Sequence, residues 1–66
     1  MAFIIACLLW LGVLVGGTYP QSYIDQLAAA NQPRIQQIQN DPIMRLKVET
    51  EVDPGIVTIE DPNGNE

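Results

Sequence analysis

The acidic residues are the first candidates for chemistry in this sequence, because carboxylates can bind cations or transfer protons. The eight Asp and Glu residues lie mostly in the second half of the chain. Asp61–Glu66 has the composition of a calcium-binding loop, which requires glycine at its sixth position and glutamate at its twelfth. Here the glycine is fourth and no twelfth position follows. We therefore interpret this segment as a solvated turn and the acids from Glu49 onward as solvent-facing charge.

Nucleophilic, metal and cofactor chemistry find no support in the remaining residues. The sequence has one cysteine, Cys7, and no histidine, so it lacks the commonest metal ligand and proton shuttle. Nothing near Cys7 would stabilise a thiolate, and a small buried apolar residue is the expected role. The three cations, Arg34, Arg45 and Lys47, are too scattered for a phosphate site, and the formal net charge of −5 disfavours nucleic acid. We expect no enzyme activity, no cofactor and no metal.

The elements that would position any site begin with a charge-free stretch, Met1–Tyr19, and the first charged residue is Asp25. At about 1.5 Å per residue, a helix of this length covers the ~30 Å hydrocarbon core of a bilayer. The sequence therefore predicts a single N-terminal transmembrane α-helix over residues 1–19. A removable secretory signal, cut before Thr18, is the alternative, although a basic leading region is missing. A lipoprotein box at Cys7 would follow too few residues to form a signal.

Small residues recur along this predicted helix. Gly12 and Gly16 form a GxxxG pattern, which lets two helix backbones approach closely. Ala2 and Ala6 extend the same side of the helix at about 100° per residue. These four residues are the predicted packing face towards a larger integral membrane protein.

The rest of the chain divides into a linker and an acidic tail. Residues 20–41 are predicted to form a short amphipathic helical linker, with a capping box made by Ser22 and Asp25. In residues 42–66, apolar and polar side chains alternate over residues 44–52, a turn follows at Asp53, and residues 56–59 are a second β-rich run, which together predict a C-terminal β-hairpin. Because a lone hairpin has unpaired edges, we expect β-augmentation onto a partner sheet. The predicted partner-binding residues are apolar: Ile35, Ile38, Leu46, Val48, Ile56 and Ile59.

Together these features predict a small membrane protein with no independent globular fold. In architecture the chain resembles single-pass accessory subunits of respiratory, photosynthetic or virion membrane assemblies. The resemblance implies a non-enzymatic structural subunit, anchored in the bilayer by one helix and strapping a neighbouring protein with an extracytoplasmic tail. A phage-type lysis or membrane-permeabilising protein is one alternative, and a secreted peptide ligand released by signal cleavage is the other.

Overall fold

A computed structural model describes the backbone of residues 2–60 and the side chains of residues 3–60. Four helices and a pair of short strands make up this part of the chain. In chain order they are α1 (Ala2–Trp10), β1 (Gly17–Pro20), α2 (Gln21–Ala30), α3 (Gln32–Asn40), α4 (Pro42–Glu51), a 3₁₀ turn (Pro54–Ile56) and β2 (Val57–Glu60). The segment Asp61–Glu66, interpreted above as a turn, lies outside the described residues.

The first helix is much shorter than predicted, because Gly12 ends it. The Val13 N–H donates to the Leu8 carbonyl at 3.2 Å, and the Gly12 N–H donates to the Leu9 carbonyl at 3.1 Å. This bonding is the Schellman motif, which requires a left-handed residue just after the helix. Gly12 supplies it with φ of 78°. Within residues 2–60, none of the helices has both the length and the apolar character needed to cross a bilayer. The predicted transmembrane helix, and with it the single-pass membrane localisation, is therefore wrong.

The apolar character of α1 serves the core of the protein. Four consecutive side chains, Ile5, Ala6, Cys7 and Leu8, are buried. A helix that is apolar on all sides is typically buried in a protein core or in a membrane. Here α1 contacts α2, α3, α4 and the 3₁₀ turn, which surround it with buried Ile24, Ile35, Ile38 and Val48. The described residues thus form a small globule, and the prediction of no independent globular fold is wrong.

The helices that cover α1 begin and end at local signals. Asp41 precedes α4, and its Oδ1 accepts from the Ile43 and Met44 N–H groups at 3.0 and 3.3 Å. Pro42 follows at the first helical position, where its missing N–H costs nothing. By contrast, α2 starts directly after Pro20, and no side chain among the described residues caps it. Ser22 lies inside α2, so the predicted capping box is wrong.

The β-hairpin predicted for residues 42–66 is also wrong. Residues 42–51 are helical, and β2 pairs in parallel with β1 in the register Gly17↔Val57 to Pro20↔Glu60. The alternating pattern was ambiguous, because Met44, Val48 and Val52 are spaced by four and share one face of a helix. Asp53 then turns the chain, with its Oδ1 accepting from the Gly55 N–H at 2.8 Å. The strands meet only after three intervening helices.

Candidate protein-binding surfaces

The four residues predicted as a packing face do not lie along one helix. Ala2 begins α1, Ala6 is buried in the core, and Gly12 sits in the turn after α1. Gly16 lies against the chain itself, since a Cβ there would stand 3.3 Å from the Ile56 carbonyl oxygen. The close approach seen at Gly16 is therefore intramolecular. Contact of these four residues with another protein stays a prediction.

The six residues predicted to bind a partner separate into two groups in the structure. Ile35, Ile38 and Val48 are buried around α1. Leu46 and Ile56 are exposed, and Ile59 is half-buried. Their contact with a partner stays a prediction, and only the second group is accessible at the surface of the described residues.

One accessible surface is the sheet, defined here as β1 and β2 together with Val15, two residues before β1, and Ile56, directly before β2. These two side chains are 69% and 54% exposed. The parallel register brings them to the same end of the sheet. The Tyr19 hydroxyl donates to the Val15 carbonyl at 2.8 Å, which fixes the entry into β1. The sheet surface thus combines backbone edges with an apolar end.

The backbone of this sheet is incompletely paired. Within residues 2–60 neither strand pairs with a third strand, and at the start of β2 the Val57 N–H donates to the Pro54 carbonyl of the 3₁₀ turn. Each strand of a two-stranded sheet has one outer edge with such groups. In β2 the side chains of Thr58 and Glu60 are exposed, and they lie on one face because they are two residues apart.

The second accessible surface is the side of α4 that points away from the core, defined here as the α4 outer face. Its apolar members are Ile43 and Leu46, which are 68% and 60% exposed. They are three residues apart and therefore adjacent on the helix. Arg45 and Glu49 flank them, with 3.5 Å between Nε and Oε2. Sequence reasoning placed Leu46 and Val48 on one strand face and for that reason missed Ile43.

Two further features offer little prospect of catalysis or metal binding. An open cleft of about 370 Å³ is lined by Trp10, Arg34, Met44 and neighbouring side chains of α3. Among the described residues that line it, the one acid, Asp41, already accepts hydrogen bonds from the start of α4. Burial raises the pKa of the Cys7 thiol and keeps it protonated, which makes it a poor nucleophile. Within residues 2–60, no three acidic, cysteine or histidine side chains come close enough to hold a metal ion.

Comparisons with protein-family models, with curated proteins and with solved structures found no match to this chain. Any functional interpretation therefore rests on the two surfaces described above.

Proposed function

We propose that this chain is a non-enzymatic accessory module of a protein assembly, and that it adds an extended, basic strand of a partner protein to its short sheet. The observation that carries the proposal is the sheet of only two four-residue strands, neither of which pairs with a third strand among the described residues. Such a pair is marginal by itself, and a third strand would extend its ladder. Strand addition gives affinity through main-chain hydrogen bonds.

The outer edge of β2 is the better acceptor for this strand. Pro20 in β1 has no N–H and cannot donate to a new neighbour, whereas β2 contains no proline. The N–H groups of β2 that point away from β1 can donate, except that of Val57, which already donates to the Pro54 carbonyl. The apolar end of the sheet surface adds contact area, because Ile56 directly precedes β2 and is exposed. A partner strand with an aliphatic residue near Ile56 would cover part of that side chain.

The basic character of the partner follows from charge. Glu60 projects from β2 into solvent, and the whole chain carries a formal net charge of −5. Cross-strand pairs of opposite charge are favourable, and like charges directly opposite one another are not. The acidic chain would also attract a basic partner during diffusional encounter.

Titration of the full-length, ¹⁵N-labelled chain with short peptides tests the proposal. A Lys-Val-Lys-Val-Lys peptide should shift the amide signals of Val57–Glu60 and slow the hydrogen exchange of those amides that point to the outer edge, because they gain bonding partners. A Glu-Val-Glu-Val-Glu peptide should not. Shifts that map elsewhere, or that are the same for both peptides, would refute strand addition at β2.

A pair of charge reversals sharpens this test. Glu60→Lys should weaken binding of the basic peptide several-fold, because the nearest opposite charge becomes a like charge. Asp25→Lys is the matched control, since it makes the same change of net charge at an exposed position on α2. If the two variants lose affinity equally, long-range attraction explains the binding and the sheet edge does not.

A further inference from the structure

We propose that two copies of this chain associate through their α4 outer faces, with the two helices antiparallel. The observation behind this inference is the order of charges along α4. Its two bases, Arg45 and Lys47, come before its two acids, Glu49 and Glu51. An antiparallel second copy places Glu49 of one helix beside Arg45 of the other.

This charge order is unfavourable for a helix standing alone. The N-terminal end of a helix favours anions and the C-terminal end favours cations. In α4 the Asp41 carboxylate caps the N-terminal end, but the last turn contains no base. The intrahelical pair also runs from Arg45 to Glu49, which is the weaker orientation for residues four apart. A second antiparallel copy offsets both defects, because Arg45 of each copy then lies beside Glu49 near the C-terminal end of the other helix.

The apolar side chains of the face are placed to meet across this contact. Val48 is fully buried against α1, and Leu46 lies about 200° from it around the helix, so Leu46 points outward. With the two-fold axis at the level of Lys47, the two Leu46 side chains pack beside each other. Each Ile43 then lies near Thr50 of the second copy, and each Arg45 lies level with Glu49 of the second copy. The flank formed by Arg45 and Glu49 is self-complementary, as two-fold symmetry requires, whereas the two exposed Lys47 side chains lie level with each other on the opposite flank.

The distribution of charge over the whole chain favours this face over others for self-association. The two cations and two anions of α4 cancel, while the rest of the sequence holds one cation and six anions. Two copies therefore repel one another through most of their surfaces, and the α4 outer face is a neutral, partly apolar exception. A second copy fits this face better than a basic partner, which would meet Arg45 and Lys47.

The contact is small, and the association is accordingly weak. A ten-residue helix buries less than the ~1,200 Å² total that separates stable interfaces from transient ones. We expect a dissociation constant of about 0.1 to 1 mM, in the range of transient complexes. Self-association should then be visible as a dependence of sedimentation coefficient and of NMR line width on protein concentration.

Two exposed helical positions provide a matched pair of variants. Leu46→Glu should abolish the concentration dependence, because it places a charge at the centre of the contact. Gln39→Glu makes the same change of net charge at an exposed position on α3 and should leave the dimer nearly intact. Far-UV circular dichroism checks that both variants stay folded. A wild-type chain that stays monomeric at about 1 mM, or equal behaviour of the two variants, would overturn the proposal.

Complementary charge variants test the antiparallel arrangement itself. Arg45→Glu places two acids on the flank, and Glu49→Arg places two bases there, so each variant alone should associate at least several-fold more weakly than wild type. Mixing them should restore association, because the two acids on the flank of one copy then face the two bases on the flank of the other. Both variants lack the intrahelical pair and both stay net negative, so neither effect explains recovery on mixing. No recovery on mixing would show that the helices do not pair in this way.

Discussion

Replacing Val48 with alanine should destabilise the protein far more than replacing Leu46 with alanine, although the two residues are only two positions apart. Val48 is completely buried, whereas 60% of Leu46 is exposed. Val48→Ala removes two carbon groups from the core, at roughly 0.8 kcal/mol each for transfer, and leaves a small cavity that adds to the cost. We expect the free energy of unfolding to fall by about 2 to 3 kcal/mol.

Leu46→Ala should change the same free energy by less than about 0.5 kcal/mol. Its side chain gives up little buried area, and alanine is a slightly better helix former than leucine. A loss of 2 kcal/mol in a domain of this size lowers the melting temperature by roughly 8 to 16 °C. The two variants should therefore be separated clearly even if the wild-type chain is only a few kcal/mol stable.

Urea denaturation followed by far-UV circular dichroism measures both effects. Samples should be kept at about 20 µM, so that self-association through α4 does not contribute to the measured stability. The result that would refute the helical assignment is a similar loss for the two variants. In a β-strand Leu46 and Val48 would share one face, and truncating either would cost about the same.

Three further predictions concern the turns and the core. Asp41→Ala should lower the free energy of unfolding by about 1 kcal/mol, because the carboxylate caps two N–H groups of α4. Asp41→Asn should retain most of this stability. Equal losses for the two variants in urea titrations would contradict the cap. Gly12→Ala should lower the free energy of unfolding by about 1 to 2 kcal/mol, because alanine is strained at a φ of 78°. Steric contact adds nothing to this loss, since no described atom lies within 4 Å of the added Cβ. An unchanged midpoint in urea would contradict the Schellman ending of α1. Cys7 should react with iodoacetamide only on unfolding, and the free energy of unfolding should fall as pH rises above about 8.5, because the unfolded thiol loses its proton before the folded one does. Cys7→Ala, measured over the same pH range, should lack this part of the decline, and an identical decline would assign it to other groups.

The length of the apolar stretch misled the prediction for the first helix. Met1–Tyr19 satisfies the length and composition of a membrane span, yet the chain uses it as a helix followed by a return segment. The distinguishing signal was present in the sequence, since Gly12 followed by apolar Val13 is a common helix ending. That signal competes with the equally valid interpretation of Gly12 and Gly16 as a packing motif. Composition alone cannot decide between them, because lipid and a protein core both favour the same side chains.

The prediction for residues 42–52 failed because two periods fit the same apolar residues. Alternation gives Met44, Leu46, Val48 and Val52 one face of a strand, and a spacing of four gives Met44, Val48 and Val52 one face of a helix. Asp41 and Pro42 are a good helix start and favour the second interpretation. The pairing of β2 with β1 was beyond prediction, since Gly17–Pro20 has little strand character and lies about forty residues away from β2 in sequence.

The exposed surfaces could be predicted only by knowing which apolar residues are buried in the core. Ile35, Ile38 and Val48 looked equivalent to Leu46 and Ile56 in the sequence, because hydrophobic character does not say whether a side chain meets its own chain or another. Packing around α1 makes that distinction and leaves Leu46 exposed beside Ile43. The reversed order of charges in α4 is visible in the sequence, but its significance requires the helix. In a strand, Arg45, Lys47, Glu49 and Glu51 would form one solvated face. On a helix, Arg45 and Glu49 flank an apolar pair and can meet the opposite charges of an antiparallel second copy.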